Sequence, residues 1–310
     1  MSIEQKPKII AIVGQTASGK SDIAVDIALF IKKNLKKFNT NGAEIISADS
    51  RQIYKNFDIG ANKITKKEMR GVKHWLLDVA SPRKRFSVSQ YQKFSKKAIE
   101  HIIKEKKIPI ICGGTGFYID ALIYETQFPK VKPNLKLREQ LEKMDTEELF
   151  KILKNKDPKR AKNIDSKNKR RLIRAVEINI LTGKPIDNLK KESKFKTLWL
   201  GLSVKNSVLL KERISKRLEK RLKNGLVEEV KKLHQKYGLS WAKLESFGLE
   251  YKFTAQFLEN KITKEEMKES IISESVKYAK RQMTWFKRNS SINWTNSKKE
   301  ILNLTNKFLN

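Results

Sequence analysis

Cysteine is nearly missing from this chain: Cys112 stands alone in 310 residues, so neither an intramolecular disulfide nor a thiolate zinc site is available. Histidine is almost as scarce, and His74, His101 and His234 sit at no metal-ligand spacing. Long apolar runs are missing too. No window approaches the ~18 apolar residues of a membrane span, and the opening stretch lacks the apolar core of a secretory leader. These absences predict a soluble, untargeted protein in a reducing cytoplasm, with no membrane partner. The last scarcity is negative charge: 34 Asp and Glu face 68 Lys and Arg, a formal net charge of +34 with a pI near 10.0. A field of that sign attracts polyanions, nucleic acid first among them. Because 54 of the basic residues are Lys and 14 are Arg, a lysine-rich coding bias accounts for the same excess without any partner.

What is present suffices for a core. Hydrophobic residues make up 39% of the chain, and its length suits two domains or one with a large insertion. Ile9-Ile10-Ala11-Ile12-Val13 reads as a parallel strand buried on both faces. It runs into Gly14-Gln15-Thr16-Ala17-Ser18-Gly19-Lys20-Ser21, and Ile23, Ala24, Ile27, Ala28, Ile31 and Leu35 then recur at helical spacing. Strand, glycine loop and helix arrive in the order of a phosphate-binding P-loop. Gly14 and Gly19 let the backbone curl so that N–H groups converge on an anion at the positive end of a helix. Lys20 adds a point charge, and the Ser21 hydroxyl suits a Mg²⁺ shared with the phosphates. The loop specifies a phosphate chain without choosing between a nucleotide and another diphosphate.

Ala43-Glu44-Ile45-Ile46-Ser47-Ala48 reads as a second strand, delivering Asp49 at the carboxyl end where open α/β sheets bind ligands. Trp75-Leu76-Leu77-Asp78-Val79 and Lys107-Ile108-Pro109-Ile110-Ile111-Cys112 read as two more. The last ends in Cys112, Gly113, Gly114 and Thr115, where a P-loop ATPase commonly places an acid for Mg²⁺; Cys112 itself suits a small buried position. From about Gln127 the chain turns helical and basic. Residues 135–153 show amphipathic spacing, and Arg171 and Arg174 share one helix face opposite an apolar stripe, ended by Gly183-Lys184-Pro185. Leu198-Trp199-Leu200-Gly201-Leu202 resumes a strand. The expected architecture is an α/β P-loop parallel-sheet core, nucleotide-kinase-like, over 1–126 and 197–310 with C-terminal helices, carrying a helical insertion over 127–196.

Four segments together resemble the tRNA dimethylallyltransferase family: the phosphate loop; Ser47-Ala48-Asp49-Ser50-Arg51-Gln52-Ile53-Tyr54 with Asp58-Ile59-Gly60; Gly113-Gly114-Thr115-Gly116-Phe117-Tyr118; and Tyr278-Ala279-Lys280-Arg281-Gln282-Met283-Thr284-Trp285-Phe286. Weaker echoes lie at 157–175, at Arg213-Ile214 with Arg217, and at Phe247-Gly248-Leu249-Glu250-Tyr251. Gln15 stands where the family usually has proline, and Trp75 where a second histidine often follows His74. The resemblance implies transfer of a dimethylallyl group from its diphosphate to the exocyclic amine of the adenosine after the anticodon of tRNAs. Dimethylallyl diphosphate and the tRNA anticodon stem-loop are then the partners, Mg²⁺ the cofactor, and a monomer the expected state.

On that reading Asp49 accepts the amine proton, against a plain role as a helix-capping aspartate or a water-mediated Mg²⁺ ligand. Thr115 bonds the bridging oxygen, against a turn threonine. Lys20, the amides of residues 14–21 and an arginine from Arg213 or Arg217 steady the leaving diphosphate, with Arg217 also counted as catalytic. Asp49, Ser50, Arg51, Gln52 and Thr115 meet the flipped base. Arg138, Arg170, Arg171, Leu172, Ile173 and Arg174 form a stem clamp, against an ordinary solvated face. Arg281 and Trp285 approach RNA or else pack on each other in the core. The competing functions are an adenylate isopentenyltransferase, a P-loop small-molecule kinase and a non-catalytic RNA-binding protein.

Overall fold

The computed structural model describes residues 6–129, 131–185 and 192–310. The chain divides into two compact units, Met1–Glu125 with Ser193–Asn310, and Thr126–Glu192.

In the larger unit the described residues form a six-stranded parallel sheet: β1 (Lys8–Gly14), β2 (Ala43–Ser47), β3 (His74–Trp75), β4 (Ile108–Gly113), β5 (Lys196–Leu202) and β6 (Asn293–Trp294), in the order β3-β2-β4-β1-β5-β6. The near-continuous apolar runs follow from burial on both faces. Alternate residues of β1 go to opposite sides. Ile10 and Ile12 pack with Ile110 and the helix Lys20–Lys33 on one face. Ile9, Ala11 and Val13 pack with Ile111 and the helix Gly116–Ile123 on the other. The helices that follow the neighbouring strands β1 and β4 therefore leave the sheet in opposite directions, which opens a crevice at the carboxyl ends of the two strands. The helices Ser207–Lys223, Leu226–Gln235, Leu249–Leu258 and Lys264–Phe286 cover the second face.

Two local expectations change. The strand expected over 75–79 stops at Trp75, because Leu76 and Asp78 turn into the left-handed region at φ 65 and 58. Leu76 stays buried all the same, so an apolar run here marks burial rather than extension. The helix expected over 135–153 is two helices, Leu135–Lys143 and Thr146–Lys156. Asp145 separates them by capping the second with a reciprocal Glu148 capping box.

The smaller unit is helical. Leu141, Leu149, Leu153, Leu172, Ile173 and Val176 form its core. Its helix Lys169–Thr182 ends at Gly183, whose φ of 64 suits a left-handed C-cap. Glu177 is buried there, and its carboxylate accepts hydrogen bonds from Arg138, Arg174 and the Asn134 amide.

Candidate active site at the phosphate loop

The loop between β1 and its helix is shaped by close approach. A Cβ on Gly14 would collide with the Leu202 carbonyl, and Gly14, Ala17 and Gly19 adopt φ of 144, 61 and 85. Gly19 caps the helix Lys20–Lys33 without a side-chain acceptor, so the first-turn N–H groups are free to meet an anion. Gln15 is buried and its amide bonds the Val204 carbonyl at 3.3 Å, which gives this departure from proline a local anchor.

Above the loop lies a cavity of about 790 Å³, lined by the phosphate loop, residues 49–52 and 60–62, Gly113, Gly114, Phe247, Gly248 and one face of each of the helices Ser207–Lys223, Leu249–Leu258 and Lys264–Phe286. Lys20 Nζ bonds the Gln15 carbonyl at 2.5 Å and Ser18 Oγ at 3.4 Å, and burial holds its ammonium down to about 8. Arg217 Nη2 donates to Thr16 Oγ1 at 2.5 Å, while its buried Nε has no partner among the described residues. Burial, reinforced by Arg221, lowers the Arg217 guanidinium to about 10. Arg221, by contrast, is paired with the buried Glu250. Lys20 and Arg217 thus face the cavity as desolvated cations, an arrangement that an entering anion relieves. Arg213 lines the same cavity at an exposed position. Between the two arginines expected for the diphosphate, Arg217 is the one bonded to the loop.

The acceptor side is built around Asp49. Its Oδ1 accepts from the amides of Arg51 at 2.8 Å and Gln52 at 3.4 Å, a turn cap. Among the described residues nothing donates to Oδ2. Thr115 caps the helix Gly116–Ile123 by position but not by side chain; its Oγ1 instead accepts from the Ser50 amide at 3.2 Å. The Arg51 guanidinium lies 5.7 Å from the Phe247 ring centre. Gln52 receives Ser47 Oγ at 3.0 Å and donates to the Asn62 carbonyl at 3.0 Å.

Two site residues had no role in the sequence reading. Gln282 accepts from the Thr16 amide at 2.7 Å and donates to the Gly114 carbonyl at 2.9 Å, so it joins the phosphate loop to the strand β4 end. Thr16 therefore offers an anion its hydroxyl rather than its amide. Tyr278, one turn earlier, lies beside Thr115 and Gln282, and burial pushes its phenol up to about 12. The spacing of Tyr278 and Gln282 on one helix face was the available signal. A second was the ladder Arg213, Arg217 and Arg221.

Other placements need correction. Leu172 and Ile173 are core residues, 0% and 3% exposed, so their side chains cannot meet RNA. Arg138 and Arg174 are engaged by Glu177 instead of standing free for phosphates. Arg170 and Arg171 are exposed. Arg281 is at the cavity, with its guanidinium 5.9 Å from the Tyr278 ring centre, whereas Trp285 donates to Asp120 and carries Arg288 on its ring, so Arg281 and Trp285 do not form the expected pair.

For Mg²⁺, the fit is to hard oxygen donors. Ser21, Asp22 and Asp49 all line the cavity, and the described residues hold no cluster of three His, Cys, Asp or Glu. That set suits an ion that takes most of its ligands from phosphate and water.

The family model that matches, over residues 52–289, is described as IPP transferase. A tRNA dimethylallyltransferase of Caldanaerobacter subterraneus is 40% identical over 301 residues, covering 93% of this chain and 91% of the relative. One from Thermoanaerobacter sp. is 41% identical over 297 residues, with the same coverage, 93% and 91%. Among solved structures, the tRNA isopentenylpyrophosphate transferase of Bacillus halodurans aligns at a TM-score of 0.69 and 32% identity, over 98% of this chain and 95% of its own. A eukaryotic dimethylallyltransferase acting on tRNA aligns at 0.73 and 28%, over 90% of this chain and 70% of its own.

Proposed function

The chain belongs to the IPP transferase family, and on that premise we propose that it is a tRNA-modifying enzyme: it transfers a dimethylallyl group from dimethylallyl diphosphate to the exocyclic amine of the adenosine following the anticodon. It works in the cytoplasm as a monomer. The observation that carries the reading is one cavity holding two desolvated cations, Lys20 and Arg217, at a phosphate loop and a carboxylate, Asp49, with an uncommitted oxygen.

The adenine amine is a weak nucleophile. Its lone pair forms the new bond to C1 of the dimethylallyl group while the C1–O bond breaks and its electron pair leaves on the diphosphate. Lys20, the free first-turn amides and Arg217 oppose the charge that grows on the leaving oxygens. Asp49 Oδ2 takes the proton that the alkylated amine must lose. The Thr115 hydroxyl, held beside Asp49 by the Ser50 amide, donates to the bridging oxygen. The Ser21 hydroxyl would hold a Mg²⁺, which would supply further neutralisation of the diphosphate charge. Flipping the target base costs a few kcal/mol, offset by contacts of Arg51, Gln52 and Arg281 around the cavity. On the smaller unit, the exposed Arg170 and Arg171 serve the tRNA backbone.

Incubation with radiolabelled dimethylallyl diphosphate, Mg²⁺ and either tRNA or AMP tests the reading. Label in tRNA supports it. Label in AMP alone points to an adenylate isopentenyltransferase. No label in either acceptor, with phosphate transferred only once ATP is added, points to a kinase, and tRNA binding with no transfer of either kind overturns the enzymatic reading.

A further inference from the structure

The cavity wall formed by Gly60, Ala61 and Asn62 is held from behind by a residue outside the cavity lining. Glu229, on the helix Leu226–Gln235, accepts the Asp58 and Ile59 amides on Oε2 at 2.9 and 2.7 Å, and the Gly60 amide on Oε1 at 3.0 Å. Tyr251 Oη completes the shell, donating to Oε1 at 3.0 Å. The fit is close: a Cβ on Gly60 would lie 2.6 Å from Tyr251 Cζ. Three consecutive amides on one carboxylate form charge-assisted bonds that fix the backbone of 58–60.

The consequence is transmitted forward along the chain. The next two carbonyls, of Ala61 and Asn62, receive the Gln52 amide at 3.5 and 3.0 Å. With Ser47 Oγ on its oxygen, the Gln52 side chain has its orientation set from both ends. Gln52 in turn follows Asp49 by one turn and donates its own amide to Asp49 Oδ1.

We propose that Glu229 is a positioning residue for the acceptor half of the site: through the backbone of 58–62 it sets the Gln52 side chain against the incoming adenine, and it leaves the donor half untouched. This rests on the function proposed above. The two halves share one cavity but are held separately: the bonds of Lys20 to Gln15 and of Arg217 to Thr16 lie outside the contacts that run from Glu229 to Gln52.

The test is a double-mutant cycle on the full-length protein with tRNA and dimethylallyl diphosphate. Glu229→Gln keeps the shape but turns an NH₂ group toward amide donors. It is expected to lower kcat/KM for tRNA by about 10-fold while the KM for the donor stays within twofold. If Glu229 acts through Gln52, the double variant Glu229→Gln with Gln52→Ala is no worse than about the poorer single variant, whereas independent roles multiply. Multiplying losses, equal losses on donor and tRNA parameters, or a Glu229→Gln enzyme that matches wild type would each overturn the proposal. Hydrogen exchange of the 58–60 amides gives a second measure, expected to quicken in Glu229→Gln without change in β1 or β4. Unaltered protection there also overturns it. An inactive wild type in the same assay would instead bring down the proposed function.

Discussion

Lys20 offers a direct test of whether this site stores charge that folding alone does not balance. Burial lowers its ammonium from 10.5 to about 8, a fall that corresponds to about 3 kcal/mol working against folding while the lysine is charged. The side chain is half-buried rather than sealed, and solvent screening trims this to about 2 kcal/mol. Lys20→Met removes the charge and keeps the apolar stem, but it strips the Gln15 carbonyl of its donor, at a cost of about 1 kcal/mol. The variant is therefore expected to be about 1 kcal/mol more stable than wild type at pH 7. The sign follows from proton counting. Between about 8 and 10.5 the unfolded lysine holds a proton that the folded one has released, so wild-type stability rises with pH across that window. Below it the penalty is present in full; above it only the lost hydrogen bond remains, and wild type becomes the more stable. Urea unfolding of both proteins at pH 7 and at about pH 10.5, in phosphate-free buffer, reads the crossing. Diphosphate added at pH 7 should give the wild type the lead, since it binds the folded wild type more tightly than the variant. A variant less stable than wild type at pH 7, or a difference that does not move with pH, refutes the charge-storage argument.

Further outcomes follow from other parts of the molecule. Asp49→Asn should slow transfer by roughly 10² to 10⁴ at saturating substrates with an unchanged melting curve, because the amide cannot take the proton; a rate within a few-fold of wild type removes Asp49 from proton transfer. Glu177→Gln should destabilise the smaller unit by about 3 kcal/mol, leaving Arg138 and Arg174 without their carboxylate. The two arginines outweigh burial and hold the Glu177 carboxyl down at about 2 against an ordinary 4.5, so its stabilisation is complete above pH 4.5 and disappears toward pH 2. A melting temperature indifferent to that window would contradict the ion-pair reading. Replacing both Arg170 and Arg171 with Ala should flatten the log-log salt slope of tRNA binding by about one to two, and coincident slopes would make that face merely solvated.

The sequence made legible whatever is local. Each long strand announces itself by an apolar run, and the phosphate loop by spacing alone. Strand β6 was missed, being two exposed residues at a sheet edge with no apolar pattern to read. The break before Thr146 was readable in Asp145 and Glu148, a D-x-x-E capping box, but the amphipathic period on either side masked it. The site divides in the same way. Its nucleating motifs are short in sequence, whereas what holds them is not: Gln282 reaches Thr16 across 266 residues, and Glu229 reaches residues 58–60 across about 170. A carboxylate that caps three distant amides looks, in sequence, like any solvent-facing glutamate of an amphipathic helix.

Charge shows most clearly why counting differs from placing. A net +34 attracts a polyanion but does not locate where it binds. Lysine accounts for most of it, and much of that is exposed. The arginines are few enough to follow one by one, and the fold sorts them by partner. Arg138 and Arg174 are committed to Glu177, and Arg221 to Glu250. Among the described residues Arg217 pairs with no carboxylate; its bond goes to a neutral threonine hydroxyl and its buried Nε has no partner. A buried cation left so in a folded chain is destabilising unless a ligand completes it. Paired and unpaired arginines are alike in sequence, with Arg217 and Arg221 a single helical turn apart, and only the tertiary position of one carboxylate leaves the first facing the cavity and makes the second a strut.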